Sequence, residues 1–581
     1  MTGTISNKEA AKILEEIGVM LELLGENPFK ARAHYSASRT IETLEEPFIE
    51  LVETGTLGSI KGIGKGMNDK LTELAKTGKM SEYSKLKDSI PPGLWEILRI
   101  PGLGPKKVRD IFDKLKITTV GELEYACREN RLITLEGFGQ KSQEKTLDGI
   151  EFLKQAREQH HIHNALSAAD SLRMLLESFP EVDRSEITGE IRRHNEIINA
   201  ADILVCSDPK DNDKIADRLS GDPEVKEIFE KSGNIIKLKH TTGIDARIIF
   251  AGEAEYAQAL FQFTGSDEHV EKAITNKTGK KPEFDDSGII SNPIIDGCRE
   301  EKDIYTSLGL SFIPPEIREN TGEIETAAGN TLPDLVTESD YTGVLHVHTT
   351  YSDGINTIEE MVQACIERGY KYLGICDHSR SAFYANGLTV ERIKRQHEEI
   401  DSLREKYPDF SIFKGIESDI LLDGSLDYPD NVLETFDFIV ASVHSKLNMP
   451  IEEATERLEN AVRNPYTTIL GHPTGRLLLA RKGYPLDMER ILRTAKEHNV
   501  AIELNTNPFR LDLDWKSCRA AKKLALKIAV NPDAHSIEGL DDTRYGIGIA
   551  RKGWLSPGDV LNTMPPEQIE EFFINRKISS V

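Results

Sequence analysis

Residues 344–354 read Val-Leu-His-Val-His-Thr-Thr-Tyr-Ser-Asp-Gly, an apolar run that ends in two histidines and an aspartate. It is the first of seven apolar, β-rich runs, and helical patterns separate most of them. The runs lie at 344–348, 372–377, 412–416, 438–442, 467–471, 500–505 and 527–531. Regular alternation of strands and helices predicts parallel strands with crossover helices, most simply a seven-stranded (β/α) barrel.

Histidines and carboxylates follow these runs at nine positions. They are His346, His348, Asp353, His378, Glu417, His444, His472, Asp533 and His535. Such barrels place their chemistry at the carboxyl ends of the strands, so we expect the nine side chains to converge. Imidazole and carboxylate suit zinc, manganese or iron, and nine ligands exceed the needs of one tetrahedral ion. The pattern predicts two or three divalent ions, Mn²⁺, Zn²⁺ or Fe²⁺.

The nine positions and the stretch at 345–354 resemble the polymerase and histidinol phosphatase (PHP) family of metal-dependent phosphoesterases, over about residues 340–575. The resemblance implies a trinuclear site on a distorted seven-stranded barrel that hydrolyses phosphate esters. Glu417 is the expected bridging carboxylate. Cys376 is close to these residues in the sequence, and we expect it to pack within its strand.

Residues 1–160 show short amphipathic helical patterns broken by a repeated Gly-x-Gly. The repeats place glycines and a nearby lysine at Gly62, Gly64 and Lys65, at Gly102, Gly104 and Lys106, and at Gly137, Gly139 and Lys141. Each leads into a helix, so backbone amides and the lysine can meet a phosphate. The three copies resemble helix-hairpin-helix motifs, which implies binding to the DNA backbone without reading its sequence.

The formal net charge is −25, from 72 basic and 97 acidic side chains, and on its own it argues against a polyanionic partner. The charge is unevenly spread, since residues 55–116 have a basic excess and residues 161–340 hold most of the negative charge. No signal-peptide or membrane-spanning run is present, and the six cysteines form no C-x-x-C pair. We expect a soluble, cytoplasmic monomer with reduced thiols and no membrane partner.

Residues 161–330 mix helices with short β-rich runs, an α+β pattern. The order of hairpins, mixed core and barrel resembles bacterial and archaeal family X DNA polymerases over nearly the whole chain. The resemblance implies a lyase-like helical domain at 1–88, a fingers-like region at 89–160, a nucleotidyltransferase palm at 161–255 and a thumb at 256–326. A linker at 327–341 and the PHP domain at 342–581 complete the expected order.

The polymerase core departs from the family pattern at its metal site. Family members hold two Mg²⁺ ions with three aspartates, and the matching positions here are Ala200, Asp202 and Asp245. The first carboxylate is therefore absent, although two-metal phosphoryl transfer uses all three. We expect Mg²⁺ at the palm only if the polymerase is active.

The nucleotide-contacting positions depart as well. Gly189, Arg192 and Arg193 match the family's phosphate loop, but Glu190 replaces its serine and adds negative charge beside an incoming triphosphate. Hydrophobic residues at 270 and 274 replace the family's nucleotide-contacting asparagine and template-contacting arginine. We predict a core that polymerises very poorly or not at all.

Two further motifs have modest predicted roles. The family's amino-terminal domain can remove a 5′-deoxyribose phosphate through a Schiff-base lysine, which matches Lys70, but a surface lysine on an amphipathic helix is favoured here. A phosphate-holding tyrosine of the family appears as His34. The histidines at 160, 161 and 163 are expected on a solvated helix.

The leading hypothesis is a DNA-repair hydrolase, a Mn²⁺-dependent 3′–5′ exonuclease or phosphoesterase acting on gapped, nicked or single-stranded 3′ ends. A working gap-filling polymerase with a proofreading nuclease is the first alternative. A small-molecule phosphatase and a non-catalytic DNA-end-binding scaffold are the others; convergence of nine ligands has no structural need and disfavours the scaffold.

Overall fold

The computed structural model describes residues 5–44, 46–154, 159–285, 288–292 and 294–578. The chain divides into two compact units, Met1–Leu153 and Lys154–Val581. Within the described ranges, no helix combines the length and the apolar composition that crossing a bilayer needs.

In its described residues, the first unit is all helical, as the sequence predicts. Its helices are α1 (Asn7–Leu23), α2 (Pro28–Glu42), α3 (Phe48–Glu53), α4 (Lys65–Thr77), α5 (Ser81–Ser89), α6 (Gly93–Ile97), α7 (Pro105–Leu115), α8 (Val120–Arg128) and α9 (Gln140–Lys154). Their apolar faces share one core, in which Leu14, Ile17 and Ile111 are fully buried. Helices α4, α7 and α9 begin directly after the second glycine of each repeat, so the three hairpins have the expected form.

The second unit begins with a five-stranded mixed sheet. The elements of this region are β1 (His160–His161), α10 (Ile162–Glu177), β2 (Arg184–Ile187), α11 (Gly189–Arg192), β3 (Ile197–Ile198), β4 (Ala201–Cys206), α12 (Asn212–Ser220), β5 (Val225–Ser232), β6 (Ile235–His240) and β7 (Asp245–Ala251). Strands β1 and β3 pair with each other in a separate two-stranded sheet. The strand order is β2-β4-β7-β6-β5, and β4 and β7 are parallel neighbours. Asp202 and Asp245 therefore lie on adjacent strands, as the family pattern implies.

A smaller helical subdomain follows the sheet. It contains α13 (Tyr256–Thr264), α14 (Asp267–Thr278), the hairpin β8 (Glu283–Phe284) and β9 (Ile290–Ser291), α15 (Glu301–Ser307) and α16 (Glu323–Ala328). Its own hydrophobic core includes Phe261, Tyr305 and Ile313. The expected linker is partly ordered into this core, since Ala327 and Leu335 are buried there.

The last part of the chain is the predicted barrel. Seven parallel strands pair in chain order: β10 (Gly343–Val347), β11 (Tyr372–Ile375), β12 (Ser411–Asp419), β13 (Phe438–Ser442), β14 (Ile469–Leu470), β15 (Ala501–Asn505) and β16 (Ile528–Asn531). A parallel bridge from Val347 to Ala534 brings the first strand to the last. The helices are α17 (Ile358–Glu367), α18 (Val390–Lys406), α19 (Asp430–Leu433), α20 (Ile451–Arg463), α21 (Met488–Glu497), α22 (Trp515–Lys523), α23 (Thr543–Lys552) and α24 (Pro566–Ile578).

The expectation of a solvated helix is wrong for His160 and His161, whereas His163 lies on helix α10 and is half-buried. His160 and His161 form the short strand β1, pair with β3 and are buried. The His161 ring lies 4.7 Å from the Phe509 ring, and its Nε2 is 3.0 Å from the carbonyl oxygen of Leu478. The region of the mixed sheet packs on the barrel here, a long-range contact that local polarity does not reveal.

Candidate metal centre

Five imidazoles surround the carboxylate of Glu417, which projects from β12 and is 1% exposed. The distances from its oxygens are 2.8 Å to His378 Nδ1, 3.0 Å to His472 Nε2, 3.1 Å to His444 Nε2, 3.5 Å to His346 Nε2 and 3.6 Å to His348 Nε2. These histidines follow or end four different strands. The barrel therefore places Glu417 at the centre of the site.

Two aspartates extend the cluster on either side of His348. Asp353 lies 3.3 Å from His535 Nε2 and 3.5 Å from His378 Nε2, and Asp533 lies 3.0 Å from His348 Nε2. Within the described residues of the second unit, three groups have ligand atoms within 4.8 Å of one another: His348, Asp353, His378 and His535; His346, His348 and Asp533; and His378, Glu417 and His444. His472 joins the cluster through Glu417. The structure thus brings all nine predicted side chains together.

The donor set fits divalent cations. His346 Nε2 and Asp353 Oδ2 are buried without a hydrogen-bond partner among the described residues. Leaving such atoms unpaired costs free energy, and a cation between them removes that cost. Nitrogen and carboxylate ligands of this kind suit zinc, manganese and iron.

Charge within the cluster shifts its acid–base equilibria. Burial alone raises the pKa of Glu417, but the charges of His444, His378 and His346 outweigh burial and hold that pKa well below its usual range. Burial lowers the pKa of His378, yet Asp353 and Glu417 overcome burial and raise it to about 10. Burial and the neighbouring His535 lower the pKa of His348 to about 3.

A second group of residues orients the ligands, and the sequence analysis missed it. Glu503 on β15 is fully buried; its carboxylate lies 2.7 Å from His346 Nδ1 and accepts a 2.8 Å hydrogen bond from the amide of His472. Asn505 donates to Asp533 at 2.9 Å. Their positions in the sequence could have revealed them. Glu503 and Asn505 are two residues apart at the end of a barrel strand, so both side chains lie on the same face, at the rim where the ligands gather.

Two ligand positions have strained backbones. Asp533 has φ of +52° and His472 has φ of +23°, a region that side chains with a Cβ seldom adopt. Strain of this kind persists where the surrounding structure holds it in place, and it is typical of functional sites. Cys376, by contrast, packs in the barrel interior beside Tyr372 and Phe413, and burial raises the pKa of its thiol well above the usual value.

The palm contains the two expected aspartates, each paired with a cation. Asp202 is 3% exposed and accepts from Arg247 Nε at 2.6 Å, while Asp245 pairs with Lys239. Gly189 has φ of +62°, and an added Cβ would lie 2.2 Å from the Asp202 carboxylate. Only glycine fits this approach of the loop to the carboxylate.

The two arginines of the phosphate loop are bound to carboxylates of the thumb region. Arg192 makes a two-point contact with Glu301 at 3.1 and 3.0 Å, and Arg193 Nε donates to Glu319 at 3.0 Å. Glu190 accepts from the amide and side chain of Asn199 at 2.8 and 2.9 Å. Of the three residues that match the family's phosphate loop, Arg192 and Arg193 are therefore already paired with carboxylates, and Gly189 has no side chain to pair.

Val270 and Ile274 are buried in the thumb core, at 6% and 0% exposure. The hydrophobic side chains at these positions stabilise the thumb. This packing role explains why valine and isoleucine, which cannot hydrogen-bond to a nucleotide through their side chains, occupy them.

The hairpins expose the groups expected of a phosphate-binding turn. The first glycine of each repeat has positive φ: +103° at Gly62, +87° at Gly102 and +85° at Gly137. The second glycines, Gly64, Gly104 and Gly139, precede helices α4, α7 and α9, and a Cβ there would meet nothing within 4 Å. Lys65, Lys106 and Lys141 lie in the first turn of these helices, where the amides and the helix dipole also favour an anion.

Lys70 is more enclosed than a solvated surface lysine. Its amine lies 3.1 Å from His34 Nε2 and pairs with Glu82. Hydrogen bonding from His34 and Lys70 lowers the pKa of Glu82 to about 2. The three side chains form one polar cluster between α2, α4 and α5.

A hairpin-bearing helical unit, a nucleotidyltransferase-type sheet with a thumb, and a barrel with a buried histidine and carboxylate centre define a modular DNA-processing protein. Family models match these parts separately: a helix-hairpin-helix domain at residues 5–80, a tandem of such motifs at 96–147, a DNA polymerase beta thumb at 259–319 and a PHP domain at 345–507. The hairpin and thumb matches indicate DNA as a partner, and a PHP domain is metal-dependent.

Similarity to curated proteins extends over the whole chain. The chain is 36% identical to the "DNA polymerase/3′-5′ exonuclease PolX" of Bacillus subtilis (strain 168), over 97% of this chain and 99% of that protein. It belongs to the PolX family, the family X DNA polymerases that carry a PHP domain. The chain is also 30% identical to a "Probable phosphatase" of Thermoanaerobacter sp. (strain X514), over 40% of this chain and 96% of that protein.

Proposed function

We propose that the barrel is a Mn²⁺-dependent 3′–5′ exonuclease or phosphoesterase that acts on DNA ends in repair, and that the palm has lost polymerase activity. The observation that carries the nuclease proposal is the convergence of nine histidine and carboxylate side chains, with Glu417 at their centre. The name of the Bacillus subtilis relative includes a 3′–5′ exonuclease, which supports the same reading.

In this proposal, the ions would be held by the three groups of ligands at the barrel mouth, with Glu417 shared among several histidines. Bound ions would supply a hydroxide from water and neutralise phosphate oxygens. Glu503 and Asn505 orient the ligands through the hydrogen bonds already described. The hairpins contribute sequence-independent affinity for the DNA backbone.

A nuclease assay tests the proposal. Single-stranded and gapped DNA, labelled at the 5′ end, is incubated with Mn²⁺ and the wild type, Asp533→Ala or His498→Gln. The last variant is a matched control, because His498 lies at the end of α21 and outside the ligand set. We expect stepwise shortening by the wild type and the control and none by Asp533→Ala. If the wild type neither shortens nor dephosphorylates DNA, the proposal fails.

Three features support the loss of polymerase activity. Ala200 removes one of three metal-binding carboxylates, Glu190 adds charge at the phosphate loop, and Arg192 and Arg193 are held by thumb-region carboxylates. A primer-extension assay with Mg²⁺ or Mn²⁺ tests this part separately. We expect no template-directed products.

A gap-filling polymerase with a proofreading nuclease is the second candidate. Similarity to the Bacillus subtilis protein over 97% of the chain, which includes the palm and thumb, favours it. Template-directed extension that Asp202→Ala abolishes would establish this activity and reject the inactive-core proposal. A small-molecule phosphatase would instead hydrolyse a phosphate monoester without competition from DNA.

A further inference from the structure

An aromatic side chain stands in solvent at the rim of the metal centre. Phe383 is 89% exposed, the highest value for a large apolar side chain in the described part of the chain. Ile355 and Leu422 are also exposed, at 54% and 61%. The three residues lie in the loops that follow β10, β11 and β12, three consecutive strands of the barrel.

The loop that carries Phe383 is firmly anchored. On either side of it, Ala382 and Ala385 are completely buried. The amide of Leu388 donates to the carbonyl of His378 at 2.9 Å, and the amide of Gly387 donates to Ala382 at 3.1 Å. The backbone that carries the exposed ring is therefore held in place by packed neighbours and hydrogen bonds.

The same loop borders the candidate ligands. Tyr384, the next residue, has its ring 6.2 Å from the ring of His378. Asn386 donates to the carbonyl of Ser352 at 3.3 Å, one residue before Asp353. Phe383 is thus fixed to a loop that contacts both a ligand histidine and the segment of a ligand aspartate.

An apolar ring held in water has an unfavourable hydration free energy, which a flat apolar ligand would remove. Near a centre that handles phosphate, the chemically suited flat group is a nucleobase attached to that phosphate. We propose that an unpaired base at the DNA 3′ end stacks on Phe383, which makes this residue a determinant of specificity for nucleic acid. This inference rests on the proposed nuclease function.

The test compares two labelled single-stranded oligonucleotides with Mn²⁺. One has ordinary nucleotides at its 3′ end, and the other has abasic sugars at its last two positions. For the wild type, we expect KM to be about 5- to 150-fold lower with the base-bearing end, the range that base–aromatic stacking provides. Phe383→Ala should raise KM for that end to the abasic value with kcat within about twofold, whereas Phe383→Trp should keep the preference.

Phe229→Ala is the matched control, because Phe229 is also an exposed phenylalanine but lies on β5, the outer strand of the palm sheet. It should behave as the wild type. Equal KM values for the two ends, or an unchanged preference in Phe383→Ala, would overturn the stacking proposal while leaving the nuclease intact. Absence of Mn²⁺-dependent cleavage of either oligonucleotide would overturn both proposals.

Discussion

Replacing Glu503 by glutamine should weaken metal binding, although Glu503 is not one of the nine proposed ligands. The carboxylate is surrounded by nitrogen groups: it lies 2.7 Å from His346 Nδ1, accepts from the amide of His472 at 2.8 Å and accepts from Asn531 Nδ2 at 3.0 Å. Glutamine has nearly the same shape, but its NH₂ group must face one of these donors, and the negative charge is lost.

The expected magnitude follows from this geometry. A hydrogen bond to a charged group contributes about 1.5–3 kcal/mol, and Glu503→Gln removes the charge and leaves a buried donor opposed by another donor. Loss of an orienting partner of this kind typically lowers metal affinity about 10- to 100-fold. We therefore expect the Kd for Mn²⁺ to rise by a factor in this range.

The assay is equilibrium titration of the metal-stripped protein with Mn²⁺, followed by metal analysis. Glu459→Gln is the control, since Glu459 is also a buried glutamate, but it pairs with Arg490 and Thr494 on the outer helices. It should leave the Kd within about twofold of the wild type. A wild-type Kd for Glu503→Gln would refute the idea that Glu503 orients His346 and His472.

Three other outcomes follow from the same structure. Mn²⁺ at about 100 times its Kd should stabilise the stripped protein by about 2.7 kcal/mol, and unchanged calorimetric unfolding would contradict a native metal site. Glu301→Ala should lower the free energy of unfolding by about 3–5 kcal/mol in urea, since it leaves the buried Arg318 unpaired, whereas Glu325→Ala at an exposed pair should cost under about 1 kcal/mol. Ala200→Asp should not restore primer extension, because Glu190 and the paired arginines remain; robust synthesis would contradict this reasoning.

The structure shows which basic groups pair with part of the acidic excess of residues 161–340. The sequence presents it as a general barrier to a polyanion. In the folded chain, Glu301 and Glu319 contact Arg192 and Arg193, so part of this charge engages the two arginines that match the family's phosphate loop. Glu316 similarly pairs with Arg551 on α23 at 2.7 Å.

Local patterns were sufficient for the barrel strands and the nine candidate ligands. Parallel strands end on one rim, so a histidine or carboxylate at each strand end has a predictable destination. The hairpins were predictable for a similar reason, since a positive φ at the first glycine and a helix after the second are short-range properties. The prediction that Ala200 stands in place of a metal-binding carboxylate likewise rests only on the sequence and the family pattern.

Contacts between distant segments could be decided only by the tertiary structure. The burial of His160 and His161 against the barrel, the pairing of Arg192 with Glu301 and the position of Glu503 behind His346 each join residues far apart in the chain. Such contacts depend on how the sheet, the barrel and their helices pack together. The local periodicity of a single sequence does not predict them. The sequence alone therefore determined which side chains gather at the rim of the barrel. Packing decided which groups orient those side chains and which arginines of the mixed sheet region are paired with carboxylates.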